Sequence, residues 1–569
     1  MNYKAEYEKW IKNEYFNESI KEELLAIKDN EKEILDRFYK NLDFGTGGLR
    51  GVIGAGSNRI NIYTVRRASF GLGNYILKNY EEEGKKRGVV IAYDSRYMSK
   101  EFCQETAKTL ASLGIRTYIF DSLRPTPQLS FSIRELGCVA GVVITASHNP
   151  SEYNGYKVYG CDGGQACPKK AEEIIKEVNK IDDYCSIPTM SYTEGIANGM
   201  INILDETYDN RFIDAVKAQI IRPDIIDGYG DKIKIVFTPL HGTGNKPIRK
   251  TLEELGFKNV VIVKEQENPD PNFSTVKSPN PEEREAFTLA IELAKMESAD
   301  IIIGTDPDCD RVGVVVKNSE GEYIVLTGNQ VGSLLVNYVI SNKVNNNQIN
   351  IKNNPVIIKT IVTSEFGAEI AKSYGVESID TLTGFKFIGE KIHEFEQDKE
   401  NEFVMGYEES CGYLVGTHVR DKDGVVAAAI IAEMATYYYS KGVSLCEGLI
   451  ELYEKYGYYK EYLKSITLKG IDGMDKIDKI MTYFRKSKIN EIGNIKIKEL
   501  KDYSKGIEKL PKSDVLKFIL ENNSWIVIRP SGTEPKIKFY FGCKDSSLSI
   551  VNNKIETIKD DIENKIQEI

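Results

Sequence analysis

The chain has 569 residues, 41% of them hydrophobic and 28% charged, with a formal net charge of -10. That length exceeds what one apolar core serves and sets an expectation of three or four domains; no apolar run approaches a membrane span, and the acidic balance argues against wholesale nucleic-acid binding, which needs a basic face. The nine cysteines contain no C-x-x-C pair and read as reduced thiols, and the opening Met1-Asn2-Tyr3-Lys4-Ala5-Glu6 lacks the pattern of a secretory signal, so a cytoplasmic protein is expected.

A charged helical pattern covers residues 3–41. The following Gly45-Thr46-Gly47-Gly48-Leu49-Arg50-Gly51 lacks dinucleotide-binding spacing and reads either as a plain flexible loop or as one whose amides approach a phosphoryl group, with Arg50 adding charge. Residues 89–93 form a buried strand, 100–113 an amphipathic helix closed by Gly114, and 115–120 the next strand, a βαβ unit. The apolar run Val142 to Ile144 then delivers Thr145-Ala146-Ser147-His148-Asn149-Pro150.

The alternation repeats from Lys232, with strands at 233–237 and 260–263 around a helix at 246–255, and then a helix at 281–295 and a strand at 299–303. That strand delivers Gly304-Thr305-Asp306-Pro307-Asp308-Cys309-Asp310-Arg311. After a surface loop at 343–354, a third block (355–358, 364–374, 402–405) ends at Gly406-Tyr407-Glu408-Glu409-Ser410. From about Tyr456 the alternation changes, with strands at 525–528 and 537–541 around Arg529-Pro530-Ser531-Gly532-Thr533-Glu534-Pro535-Lys536 and a charged closing helix. The expected division is three related α/β domains, 1–207, 208–323 and 324–455, and an α+β domain at 456–569.

Four segments carry chemistry. Ser147 beside His148, with Lys157 ten positions on, suits a hydroxyl nucleophile; the competing reading is a simple turn. The alternating Asp306, Asp308 and Asp310 fail the calcium-loop pattern, since Arg311 and Lys317 stand where Gly and Glu belong, and three adjacent carboxylates favour a small hard cation such as Mg²⁺. Glu408 and Ser410 suit sugar hydroxyls but would equally serve as cap or strand-end residues. His418, Arg420 and Lys422 follow on a turn. His241, in 238–244, reads as part of a backbone turn at a strand end, and His393 as a helix-surface residue. Arg529 to Lys536 gathers the donors that a phosphate dianion needs.

Together these motifs resemble the α-D-phosphohexomutase superfamily, the phosphoglucomutases and phosphomannomutases, over essentially the whole chain and in the same order. The resemblance implies a heart-shaped, four-domain molecule with its site in a central cleft. It implies that Ser147 carries a phosphoryl group and that one Mg²⁺ is held by Asp306, Asp308, Asp310 and a phosphoserine oxygen. Arg311 would lie beside the ion, and Arg50, His148 and Lys157 would line the transfer site. His418 and Lys422 join Lys157 as candidates for proton movement. Gly384 and Lys386 would read sugar orientation, Glu408 and Ser410 would hold the 3- and 4-hydroxyls, and Arg420 is a further substrate-binding candidate. Arg529, Ser531, Gly532, Thr533 and Lys536 would bind the nonreacting phosphate.

The implied reaction interconverts glucose 1-phosphate and glucose 6-phosphate through glucose 1,6-bisphosphate, with mannose phosphates as further substrates, in a monomer or dimer. Segments 153–159 and 268–273 resemble the subgroup of bacterial phosphoglucomutases and animal phosphopentomutase-type enzymes, so a phosphopentomutase is the alternative. A serine-dependent sugar phosphatase and a noncatalytic sugar-phosphate binder are rivals of other classes.

Overall fold

The computed structural model describes residues 2–45, 47–468, 471–487, 489–507, 510–531 and 536–569, with only the backbone at 471 and 472. Three helices, Tyr3–Lys12, Glu18–Ala26 and Glu31–Phe38, open the chain and pack Trp10, Phe16 and Phe38 around Tyr63 and Tyr184.

The first sheet contains β1 (Phe44–Gly45), β2 (Gly48–Val52), β3 (Val89–Tyr93), β4 (Thr117–Phe120), β5 (Ala140–Ile144), β6 (Tyr153–Gly160) and β7 (Ile201–Leu204) in the order β1-β2-β6-β5-β3-β4-β7. The second contains β8 (Lys234–Thr238), β9 (Asn259–Ile262), β10 (Ile301–Thr305), β11 (Val312–Lys317) and β12 (Tyr323–Leu326), ordered β12-β11-β10-β8-β9. The third contains β13 (Pro355–Thr360), β14 (Glu377–Thr381), β15 (Glu402–Glu408) and β16 (Gly412–Val415), ordered β14-β13-β15-β16. All three repeat one device. A central strand runs parallel to its neighbour (β5 to β3, β10 to β8, β15 to β13) and the chain then turns back as an antiparallel partner (β6, β11, β16). Residues 140–144 and 301–305 are buried throughout, as strands covered by helices on both faces must be.

The fourth sheet is antiparallel throughout: β17 (Tyr458–Thr467), β18 (Glu491–Ile492), β19 (Ile495–Asp502), β20 (Leu516–Leu520), β21 (Trp525–Pro530) and β22 (Lys536–Asp545), ordered β17-β22-β21-β20-β19-β18. Helices Ile471–Lys486 and Leu548–Gln567 supply residues to its core. Three α/β units and one α+β unit therefore make up the chain, as the alternation of elements leads one to expect.

Several local expectations are corrected. Gly48 to Val52 is not a loop but a strand paired with Tyr153 to Lys157. Gly48, at φ 144°, lies so close to β6 that a Cβ there would sit 1.8 Å from the Tyr156 carbonyl oxygen, so its glycine serves strand pairing. The expected boundary between 323 and 324 cuts β12, which stays paired with β11 through Leu326. The helix expected at 281–295 begins as a 3₁₀ turn at Arg284–Phe287 and continues as Thr288–Glu297. The expected loop at 343–354 instead begins with the end of helix Gly328–Asn345 and contains a turn at Ile351–Asn353. All nine cysteines are free thiols, and among the described residues no helix is long and apolar enough to cross a membrane.

Candidate active site

Each parallel-to-antiparallel turn holds one non-glycine residue in the left-handed region: Ser147 at φ 52°, Cys309 at 54° and Cys411 at 61°. Such backbone costs of order 1–3 kcal/mol and persists only where the surroundings over-determine it. At Ser147 the amide donates to Thr145 Oγ1 at 2.8 Å and the carbonyl accepts from Arg96 Nη2 at 2.5 Å. The hydroxyl donates to Asp306 Oδ2 at 2.8 Å and lies 3.2 Å from His148 Nδ1. Burial, and then Arg311 and Arg50, depress the His148 pKa well below the usual histidine value, which favours the neutral ring.

Asp306, Asp308 and Asp310 are all buried and each offers an oxygen within 4.8 Å of the others'. Asp308 Oδ1 and Asp310 Oδ1 are buried with no hydrogen-bond partner, orphaned acceptors of the kind a hard cation satisfies. Burial and then the Asp308 charge push the Asp306 pKa far up. Burial also opposes ionisation of Asp308, but Lys157 Nζ at 2.9 Å holds that carboxyl below the usual range. Lys422 Nζ is 3.2 Å from Asp310, and Arg311 pairs with Glu282 while its amide donates to Asp306 Oδ1 at 3.0 Å. Burial disfavours the Lys422 charge, yet Asp310, Asp421 and Glu408 hold its pKa above the ordinary lysine value.

This carboxylate loop is a hub. From the first unit, Thr126 donates its amide to the Asp308 carbonyl at 2.9 Å and its hydroxyl to Asp308 Oδ2 at 3.1 Å. From the second, Thr243 Oγ1 donates to the Pro307 carbonyl at 2.9 Å, which is what the 238–244 turn does. From the third, the Gly424 amide donates to the Cys309 carbonyl at 3.0 Å, an approach so close that a Cβ on Gly424 would stand 2.5 Å from that oxygen.

Glu408 ends β15 and accepts from the Gly384 amide at 2.9 Å; burial lifts its pKa to about 7, against the opposing pull of Lys422. Ser410 is half-buried in the next turn. Lys386 follows Gly384 on helix Phe385–Asp398, and burial and then the nearby Arg529 charge lower its pKa; the thiol of Cys167 raises it. The fourth unit therefore faces the third through Arg529. Arg529 and Lys536 lie on β21 and β22, joined by Ser531, whose amide donates to the Lys536 carbonyl at 2.7 Å; Gly532 and Thr533 lie outside the described residues. A cavity of about 600 Å³ runs past Gly48, Arg50, Lys157 and Gln165 to Thr467 of the fourth unit. Arg50, exposed on β2, donates to Asn149 Oδ1 at 3.4 Å.

His418 and Arg420 are held by carboxylates other than the triad. His418 Nε2 is 2.8 Å from Asp423 Oδ2 and its ring packs against Phe212, leaving Nδ1 buried and unpaired. Arg420 is not placed to bind substrate. Its fully buried guanidinium pairs with Glu396 and donates to the Thr417 and Val419 carbonyls at 2.5 and 2.9 Å, and its amide donates to Ser130 Oγ of the first unit at 2.9 Å. It braces the first unit against the third. His393 is a helix-surface residue beside Gln397. Sequence reasoning missed Arg96, Thr126, Thr243 and Glu282; Arg96 alone carried a signal, a charged residue just past the buried strand 89–93.

A serine hydroxyl on a buried carboxylate triad, flanked by lysines and arginines brought by separate α/β units, defines a phosphotransferase class of site. The phosphoglucomutase/phosphomannomutase models match in full order: α/β/α domain I over residues 41–185, domain II over 210–321, domain III over 327–456 and the C-terminal domain over 489–549. The phosphoglucomutase of Staphylococcus saprophyticus is 35% identical over 559 residues, spanning 96% of this chain and 98% of its own; that of Staphylococcus haemolyticus is 36% identical over 540 residues, spanning 93% and 94%. The chain belongs to the phosphoglucomutase/phosphomannomutase family and is a phosphohexomutase-type enzyme. Two solved structures share the fold: a phosphoglucomutase/phosphomannomutase family protein of Burkholderia thailandensis (TM-score 0.65, 18% identity, 92% of this chain and 97% of that one) and parafusin, a phosphoglucomutase of Paramecium in an open form (TM-score 0.68, 17% identity, 92% and 95%).

Proposed function

We propose that the enzyme interconverts glucose 1-phosphate and glucose 6-phosphate through a phosphoserine at Ser147 and a bisphosphorylated glucose, and that it also accepts mannose phosphates. The observation that carries this reading is the 2.8 Å contact between Ser147 Oγ and Asp306 inside the carboxylate triad, and the name borne by relatives 35% identical supports the choice of sugar. Domains 1–207, 208–326, 327–455 and 456–569 are the proposed organisation, the second boundary following β12.

Phosphate monoester cleavage is so slow uncatalysed that enzymes reach enhancements near ~10²¹, so charge neutralisation and placement carry the catalysis. Asp306, Asp308, Asp310 and a Ser147 phosphoryl oxygen would hold Mg²⁺, whose charge when bound offsets that of the transferred group. In the forward direction the phosphoserine P–O bond breaks as a bond forms from phosphorus to the sugar 6-oxygen, whose proton passes to a base. The freed Ser147 oxygen takes up a proton; the bisphosphate turns over, and as its 1-phosphoryl group returns to Ser147 the serine proton passes to a base while the sugar 1-oxygen gains a proton. Arg50, His148, Lys157 and Arg311 line the transfer site. Lys157, His418 and Lys422 are the candidates that move protons; His418 could act only through its unpaired Nδ1 or by leaving Asp423. Glu408, Ser410, Gly384 and Lys386 would orient the sugar, while Arg529, Ser531, Gly532, Thr533 and Lys536 would bind the second phosphate. Closure of the fourth unit would exclude water from the phosphoserine.

The test is incubation of purified enzyme with Mg²⁺, glucose 1-phosphate and a trace of glucose 1,6-bisphosphate, alongside mannose and ribose 1-phosphates. Glucose 6-phosphate as the fastest product is expected. Free phosphate alone would sink the mutase reading, and faster turnover of the pentose would reassign the substrate.

A further inference from the structure

Arg96 is a buried guanidinium whose side chain is 0% exposed, and it is spent on one segment. Nη2 donates to the Ser147 carbonyl at 2.5 Å and to the Asn149 carbonyl; Nη1 donates to the Pro150 and Tyr153 carbonyls at 2.7 and 3.0 Å. Four carbonyls of one turn converge on a planar fork, a task that a lysine's single nitrogen does not reproduce. Asp94 supports the arginine, with Oδ2 at 3.3 Å from Nε and Oδ1 accepting the Arg96 amide at 2.9 Å.

The guanidinium packs against the Phe273 ring at 4.9 Å, and that ring comes from the second α/β unit. Phe273 is 2% exposed and sits at φ 50°, an uncommon backbone for a bulky residue. Its segment is fastened at both ends. On the serine side, Tyr97 donates to Asn272 Oδ1 at 2.9 Å and Ser278 Oγ to the His148 carbonyl at 3.3 Å. On the other side, the buried His241 holds it through Asn268 O at 3.0 Å and Thr275 Oγ1 at 2.8 Å, in the turn that also supports the carboxylate loop through Thr243.

We propose that Arg96 and Phe273 are positioning residues for phosphoryl transfer: the cation and ring clamp the strained serine turn of the first unit to the second unit, fixing the distance between Ser147 and the carboxylates. This rests on the function proposed above. Its physical reason is that transfer rates depend on sub-ångström placement, while a clamp remote from the sugar leaves substrate affinity alone.

The test compares Arg96→Lys, Phe273→Leu and Phe273→Tyr with wild type in the mutase assay and by hydrogen exchange of the intact protein. Arg96→Lys is expected to lower kcat about 10²-fold and Phe273→Leu about 10-fold with KM nearly unchanged, whereas Phe273→Tyr, which keeps a ring over the cation, restores most of the rate. Amides of residues 145–152 should exchange faster in Phe273→Leu and at the wild-type rate in Phe273→Tyr. Phe273→Leu retains the buried arginine, so it remains informative should Arg96→Lys fail to fold. Wild-type kcat in folded variants, a loss confined to KM, or unchanged exchange at 145–152 would each overturn the clamp. An inactive wild type would defeat the proposed function instead, and the exchange measurement would still decide the clamp.

Discussion

The second and third units share one continuous apolar core, running from Phe212 through Ile303 and Val314 to Ile358, Tyr407 and Ile430. The fourth unit keeps its own, built on Ile526, Phe539 and Ile558, and meets the third through a smaller cluster of Ile361, Val362, Phe387, Trp525 and Tyr540. Polar contacts follow the same division. The carboxylate hub receives direct hydrogen bonds from the first and third units. At the fourth unit, Lys517 Nζ crosses to the Ile361 carbonyl at 2.9 Å and approaches Glu365 at 3.5 Å, while Lys359 takes Asp380 at 2.9 Å and Glu365 at 3.2 Å. The difference teaches how labour is divided: Ser147 and the carboxylates stand on a platform joined by hydrogen bonds between units, and Arg529 stands on an arm whose core is separate from that of the second and third units.

The comparison is open to attack at both ends. Ser147→Ala is expected to abolish turnover, to below about a thousandth of wild type, and to remove the phosphoryl adduct from the intact mass. Normal turnover by that variant would remove the platform's purpose. Asp308→Asn, or removal of divalent ions by a chelator, should cost about 10²-fold or more in kcat, with Mg²⁺ restoring the chelated wild type but not the variant. Arg529→Ala, on the arm, should instead raise KM by about 10- to 100-fold with kcat nearly held, the loss of a charged hydrogen-bonding partner for phosphate. A kcat defect as large as that of the hub variants would erase the distinction.

The smallest effect is one of stability. Glu433, on helix Gly424–Ser440 of the third unit, accepts the backbone amides of Ile221, at 2.9 Å, and Arg222, so it sits in the joint shared with the second unit. Burial raises its pKa from the ordinary 4.5 to about 7, against the pull of those amides. A carboxyl with a raised folded pKa binds a proton that unfolding releases, so its stabilising contribution is full below about pH 4.5 and is lost as pH rises toward about 7. Glu433→Gln should flatten that slope, raising the thermal midpoint at pH 8 by a few degrees relative to wild type while changing little at pH 4.5. A midpoint difference independent of pH would refute it.

Much of this was legible in the chain because ligand-bearing loops of α/β sheets follow buried parallel strands. The runs ending at Ile144 and Ile303 are apolar throughout, so the hydroxyl and carboxylates behind them announced themselves, and the donors of Arg529 to Lys536 suited a phosphate without reference to fold. Arg420 was misread because its type and neighbourhood suit an anion, and nothing local reveals Glu396 and Ser130 arriving from elsewhere. Gly48 was misread because a glycine-rich stretch has no side chains to alternate, so the pairing with β6 left no pattern.

The sequence by itself determined the chemistry on offer: a hydroxyl, three alternating carboxylates, a further carboxylate at Glu408 and a group of cationic and hydroxyl donors at 529–536, each at the end of a recognisable element, because residue type and periodicity are local. Only the tertiary structure decided which groups meet. Ser147 reaches Asp306, Lys422 reaches Asp310 and Phe273 covers Arg96 through contacts between separate units, and such contacts depend on how whole sheets pack.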